Sequence, residues 1–277
     1  MTYQDILLHV DDSESMPGRL GVAVELAERF DAHLTGVYVD PGLALPTLVD
    51  TPISPSLVDA LEDEQRERRN RAEKQFKDAV AQSRLGTEWR LAQGELANTL
   101  SRHARYTDLV VLGQEGPGDQ KVVIGGLPDT VVLTCGRPAL VVPYIGAATP
   151  PGKHAIVAWN GSREAARAVN DALPLLTAAE KVDVMCVNPG RDDDEGADLP
   201  GADVCLHLAR HGVKAEAQEL VASDVEVGDL LLSRAADQGA DLIVMGAYGH
   251  ARWREVVLGG VTRQLLSQMT VPVFMSH

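Results

Sequence analysis

DILLHVDDSESMPGRLGVAVELAERFDAHLTGVYVDPG, residues 5–42, and HAIVAWNGSREAARAVNDALPLLTAAEKVDVMCVNPG, residues 154–190, are two versions of one unit. Each opens with an apolar run and passes a polar turn carrying Ser13 or Ser162. Apolar residues at helical spacing follow, then a second apolar run ended by Asp-Pro-Gly or Asn-Pro-Gly. That order predicts strand, helix, strand. The correspondence continues downstream: TDLVVLGQEG (107–116) matches ADLIVMGAYG (240–249), and GGLPDTVVLTCGRPALVVP (125–143) matches GGVTRQLLSQMTVPVFMSH (259–277). Runs such as 109–112 and 242–245 are apolar without alternation, the pattern of parallel strands covered by helices on both faces. The fold class is therefore α/β, with two doubly wound parallel-sheet domains of about five strands each. The Pro/Gly-rich stretch YIGAATPPGKH, 144–154, divides them and sets the domains at 1–145 and 153–277.

Composition narrows the function. With 277 residues, 45% hydrophobic and 23% charged, the chain has the make-up of a water-soluble globular protein. No stretch is long and apolar enough to span a membrane, and the start MTYQDILLHVDD lacks a basic signal region, so the expected location is the cytoplasm. Cys135, Cys186 and Cys205 are far apart and lack zinc spacing, which predicts reduced thiols and no metal site. A net charge of −15 repels phosphate backbones and excludes non-specific nucleic-acid binding. Any anionic ligand must be held locally.

The copies differ most after their second strands. The first carries residues 43–80, a Pro-rich start followed by a charged helical pattern that reads as a solvated surface helix. The second carries GRDDDEGADLPG, 190–201, which reads as a solvated turn.

The stretch MGAYGHARWREVVLGGVTRQLL, 245–266, follows an apolar strand and places Gly246 and Gly249 before a polar segment and Gly259 and Gly260 before a helical pattern. Open parallel sheets bind ligands beyond the carboxyl ends of their strands, where strand order reverses. A helix N-terminus there presents unpaired N–H groups and partial positive charge, suited to phosphate.

The spacing Gly246-x2-Gly249-x9-Gly259 resembles the G-x2-G-x9-G-[S/T] signature of the universal stress protein family, and the repeated order of elements extends that resemblance over nearly the whole chain. It implies a tandem member with a Rossmann-like fold of the adenine nucleotide alpha hydrolase type. Its two terminal strands, in RPALVVP and TVPVFMS, would pair within one chain as a pseudo-twofold intramolecular dimer. The implied ligand is an adenine nucleotide, ATP with or without Mg²⁺. Gly246, Gly249, Gly259 and Gly260 would line its phosphates, Thr262 would donate a hydroxyl, Asn160 would reach the nucleoside and Val187 would meet adenine through its backbone. Arg252 and Arg254 would offset the acidic surface. The implied role is stress-responsive regulation, with an unidentified protein partner and association into homodimers. A nucleotide-free assembly scaffold is the alternative.

Two positions depart from the family pattern: Gly260 stands where the signature has Ser or Thr, and Asn160, at the end of the first strand of its repeat, stands where ATP-binding members carry an Asp. The first copy departs differently. It keeps Asp11, Gly113, Gly116, Gly125 and Gly126, but its loop is one residue shorter, Glu115 adds negative charge, and Pro128 replaces the residue matching Thr262. The second domain is therefore the expected principal site. His207 and His211 lie four apart without an evident third ligand, and His250 reads as a solvated loop residue. No G-x-S-x-G elbow, Walker lysine or Cys/His dyad is present, so rapid ATP hydrolysis is not indicated.

Overall fold

Ile6, Leu8 and Val10 enter one apolar cluster while Leu7 between them enters another, because successive side chains of a strand point to opposite faces. A strand buried on both faces needs helices above and below, and the computed structural model has them. It describes residues 2–42, 54–116, 126–147, 150–188, 201–223, 225–249 and 260–277. The first half runs β1 (Asp5–Val10), α1 (Met16–Phe30), β2 (His33–Asp40), α2 (Pro55–Val80), β3 (Thr87–Gln93), α3 (Leu96–Ala104), β4 (Leu109–Gly113), α4 (Leu127–Cys135) and β5 (Ala139–Val142). The second runs β6 (His154–Trp159), α5 (Arg163–Asp171), α6 (Leu173–Ala178), β7 (Lys181–Val187), α7 (Ala202–Arg210), β8 (Ala215–Leu220), α8 (Val227–Gln238), β9 (Leu242–Gly246), α9 (Gly260–Gln268) and β10 (Val273–Ser276).

Among the described residues ten strands form one sheet, in the order β3-β2-β1-β4-β5-β10-β9-β6-β7-β8. Every pairing is parallel except the central one, where β5 and β10 run antiparallel with Phe274 opposite Leu140. The strand order of one half mirrors that of the other across this seam, giving the pseudo-twofold unit that the repeat predicts. Each terminal strand is thereby paired on both sides, so neither β5 nor β10 offers an open edge to a second chain. Side chains fasten the seam further. The Tyr3 hydroxyl donates to the Asp171 carbonyl at 2.8 Å, and Arg167 donates to the Gly136 carbonyl at 2.8 Å.

Residues between the halves are tied to both. Arg29 of α1 donates to the Pro151 carbonyl at 2.9 Å, and Asp241 accepts from the Gly152 and Lys153 amides. The charged helix is α2. Its Phe76 packs on the bare face of Gly36 and against Trp89, while Arg68 and Arg71 reach Asp12 beside the end of β1. Ala72, one turn before Phe76, is also buried, and the rest of α2 is exposed apart from scattered half-buried positions, as a solvated helix requires.

In each half the chain winds one way from the first strand to the third and then crosses back to the fourth, so strand order reverses between β1 and β4 and again between β6 and β9. The carboxyl ends of these strand pairs are the two places where the topology can hold a ligand.

Candidate functional site

At the carboxyl ends of β6, β7 and β9 lies a cavity of ≈ 270 Å³. Ala158, Met185, Val187, Val227, Leu231 and Met245 give it apolar walls. Its rim is polar: Asn160, Thr262 and the backbone of Gly246, Gly249 and Gly260. Six residues that the sequence assigns to the second site, Asn160, Val187, Gly246, Gly249, Gly260 and Thr262, thus meet around one space although they come from four segments of the chain. Gly259, Arg252, Arg254 and His250 lie outside the described residues, as do Gly125 and most of residues 190–201.

The glycines have different reasons to be glycine. A Cβ on Gly246 would stand 2.4 Å from the Ala165 nitrogen and 2.5 Å from the Glu164 carbonyl carbon, so the start of α5 packs directly on this backbone. A Cβ on Gly249 would meet Ser162 Oγ at 2.9 Å and Glu164 Oε2 at 3.0 Å. Gly260 has no described residue beyond its own helix turn within 4 Å of that position, and it lines the cavity at the start of α9. The first two therefore bring the loop against α5, and Gly260 keeps the cavity clear at a helix N-terminus.

Polar groups at the rim are partly engaged. Asn160 Oδ1 accepts from the Ser162 amide at 3.1 Å, and Ser162 Oγ caps α5 by accepting from the Ala165 amide at 3.1 Å. Thr262 Oγ1 accepts from the Tyr248 amide at 3.3 Å, which leaves its own proton available to donate. Glu164, buried beside Gly249, is paired with the mostly exposed Arg163 at 2.9 Å. A negative charge thus borders the glycine loop.

The corresponding place in the first half is filled by the chain itself. Asp11 lies where the repeat puts it, but its carboxylate accepts from the Ser13 hydroxyl at 2.6 Å and from Arg19 at 2.8 Å. Burial works to raise the Asp11 carboxyl; Arg19, His9 and Ser13 outweigh it and hold that group well below the usual carboxylate range. The Arg19 guanidinium lies over Gly113, with Nη1 only 2.0 Å from where a Cβ would stand. Glu115 accepts from the Leu127 amide at 2.8 Å, so a side-chain carboxylate takes the N-terminus of α4. Gly116 is half-buried at the end of a described segment. His9, buried beneath this cluster, is pushed down to about 4 by burial, against the pull of Asp11.

Several participants escape the sequence reading. Arg19 falls in phase with the buried stripe Met16, Leu20, Ala23, Leu26 and Ala27 of α1, and a charge in such a stripe is the signal that could have marked it. Tyr248, Met185 and Leu231 line the cavity without any motif that would single them out. The His207 and His211 rings lie 4.8 Å apart on one side of α7, and His207 is half-buried. Among the described residues no group of three or more His, Cys, Asp or Glu is arranged to hold a metal ion, and no helix is long and apolar enough to cross a membrane.

Comparison with known proteins gives a matching result in each half. The model of the Universal stress protein family matches residues 2–143 and again 152–277. A curated relative, the universal stress protein Slr1230 of Synechocystis sp. (strain ATCC 27184 / PCC 6803 / Kazusa), is 26% identical over 170 residues, which is 60% of this chain and 56% of that protein. The matched segment thus spans little more than half of the relative. Among solved structures, a universal stress protein from Archaeoglobus fulgidus DSM 4304 superimposes with a TM-score of 0.73 at 17% identity, covering 98% of this chain and 95% of that one. A protein of unknown function, PA1789 from Pseudomonas aeruginosa PAO1, gives a TM-score of 0.61 at 13% identity over 99% and 92% of the two chains. At these identities the structures speak for the fold.

Proposed function

We propose that this chain, which belongs to the universal stress protein family, binds an adenine nucleotide in its second domain, 153–277, while its first domain, 1–145, holds no nucleotide. The observation that carries this reading is the contrast between the two strand switch points. One has a ≈ 270 Å³ cavity lined by Gly260 and Thr262 from the start of α9, and the other has Arg19 over Gly113 and Glu115 on the start of α4. The apolar walls suit a base, Val187 stands at the end of β7 where its backbone can address the base edge, and Asn160 at the rim suits a ribose hydroxyl. The free side of Gly260 and the Thr262 hydroxyl fit a phosphate at the start of α9. ATP would supply the negative charge that this helix terminus attracts, and accompanying Mg²⁺ would offset the Glu164 carboxylate nearby. The protein then acts as a nucleotide-responsive regulator in the cytoplasm.

The deciding measurement is titration calorimetry of the purified chain with MgATP, together with identification of any small molecule released on denaturation. Binding in the micromolar range, about 8 kcal/mol, is expected. Gly260→Val should abolish it while leaving the fold intact, since no described residue beyond its own helix turn comes within 4 Å of the new Cβ. No released nucleotide and no heat at millimolar MgATP would favour the assembly scaffold instead.

A further inference from the structure

We propose that Asp129, in the first half of the chain, is a positioning residue for the cavity of the second half, acting through Tyr248. The proposal rests on that cavity being the ligand site. Tyr248 lines it from within the Gly246–Gly249 loop and has φ of +59°, in the left-handed region that bulky residues avoid. Such a conformation persists only where surrounding bonds over-determine it. Two do so here. The Tyr248 amide donates to Thr262 Oγ1 at 3.3 Å, tying the loop to α9, and the Tyr248 hydroxyl donates to the Asp129 carboxylate in the first turn of α4. Asp129 stands outside the cavity lining, so its influence on a ligand must pass through the tyrosine.

The anchor is itself held. Glu115 fixes the start of α4 by accepting from the Leu127 amide, two residues before Asp129. The reciprocal link runs the other way across the seam: buried Gln114, next to Gly113, donates to the Leu266 carbonyl of α9 at 2.9 Å and accepts from the Tyr144 amide at 3.1 Å. Each glycine loop thus reaches over to the helix that follows the other loop. In the second half this contact bears on the residues that surround the cavity: Tyr248 sets Gly249, and its amide sets the rotamer of Thr262. The first half, having filled its own switch point, serves as the rigid support for its neighbour's loop.

The test measures MgATP affinity, amide hydrogen exchange at Tyr248 and the urea midpoint in the wild type, Asp129→Ala, Tyr248→Phe, the double variant and Asp129→Asn. Affinity should fall about tenfold in Asp129→Ala and in Tyr248→Phe, no further in the double variant, and recover largely in Asp129→Asn, whose side-chain oxygen still accepts from the phenol. Exchange at the Tyr248 amide should accelerate in Asp129→Ala and return towards the wild-type rate in Asp129→Asn, with the urea midpoint little changed. Unaltered affinity and exchange in Asp129→Ala would overturn the proposal. If the wild type binds no nucleotide, the proposed function falls while the exchange data still decide: acceleration supports the positioning role, and unchanged protection ends it.

Discussion

The Arg19 guanidinium stands 2.8 Å from the Asp11 carboxylate and covers Gly113, so two residues at the switch point of the first half are held by one arginine from the neighbouring helix. Arg19 is buried, whereas the Asp11 side chain keeps 31% of its exposure. Removing the arginine leaves a largely dehydrated carboxylate without its cation. Arg19→Ala should cost about 3 kcal/mol at pH 7, the lower end of the range for a broken buried pair because Asp11 retains some water. Adding Asp11→Asn should restore part of the loss. Because the folded-state pKa of Asp11 is depressed, its stabilising contribution exists above the usual carboxylate pKa and disappears as pH falls through the folded value. Urea midpoints of wild type and Arg19→Ala should therefore converge in acid; parallel curves down to the acid-unfolding limit would refute the pairing energy.

Gly246 and Gly260 should respond in opposite ways to alanine. At Gly246 the new methyl meets the backbone of Glu164 and Ala165, so α5 must move, and a loss of about 1–3 kcal/mol is expected without any ligand present. At Gly260 the methyl enters open space at a helix start, so stability should hold or rise slightly, while MgATP affinity drops. Denaturant unfolding and calorimetry on both variants separate the packing role from the ligand role. Equal destabilisation would contradict the geometry described above.

Asp129 gives the molecule a pH dependence near neutrality. Burial pushes its carboxyl up to about 6, against the pull of Arg263, with Glu115 adding to the rise. The folded state then binds this proton more tightly than the unfolded chain does. The contribution to stability is full below about pH 4 and is lost as pH climbs through about 6. Asp129→Asn should flatten that part of the stability profile between pH 4 and 7, measured by thermal melting in matched buffers. A wild-type profile with the same slope as the variant would show that Asp129 titrates normally.

The continuous sheet predicts that the two halves unfold together. Phe274 is fully buried in β10 opposite Leu140 of β5, at the one antiparallel pairing. Phe274→Ala should cost about 3–5 kcal/mol and shift a single cooperative transition. Trp89 in the first half and Trp159 in the second are the natural fluorescence sites; with Trp253 replaced by Phe, variants keeping one tryptophan each should report the same midpoint. Two separated midpoints would mean that the seam does not couple the halves.

The duplicated pattern was enough to establish the doubly wound class, the ten strands and the switch-point location, because apolar periodicity and glycine spacing are local properties that each segment carries by itself. Asn160, Val187, Gly246, Gly249, Gly260 and Thr262 could be picked out in this way, and they do gather around one cavity. Which copy keeps open space was only partly legible: Glu115 and Pro128 hinted at it, and Arg19 stands out as a charge in the apolar stripe of α1, but that it faces Gly113 follows only from the docking of α1. The reason for Gly246 was equally hidden, since its neighbour is the backbone of α5, far away in sequence. Tyr248 and Asp129, 119 residues apart, meet only because β5 and β10 join two sheets into one. Contacts of that kind depend on the relative placement of whole elements, which short-range preferences do not encode.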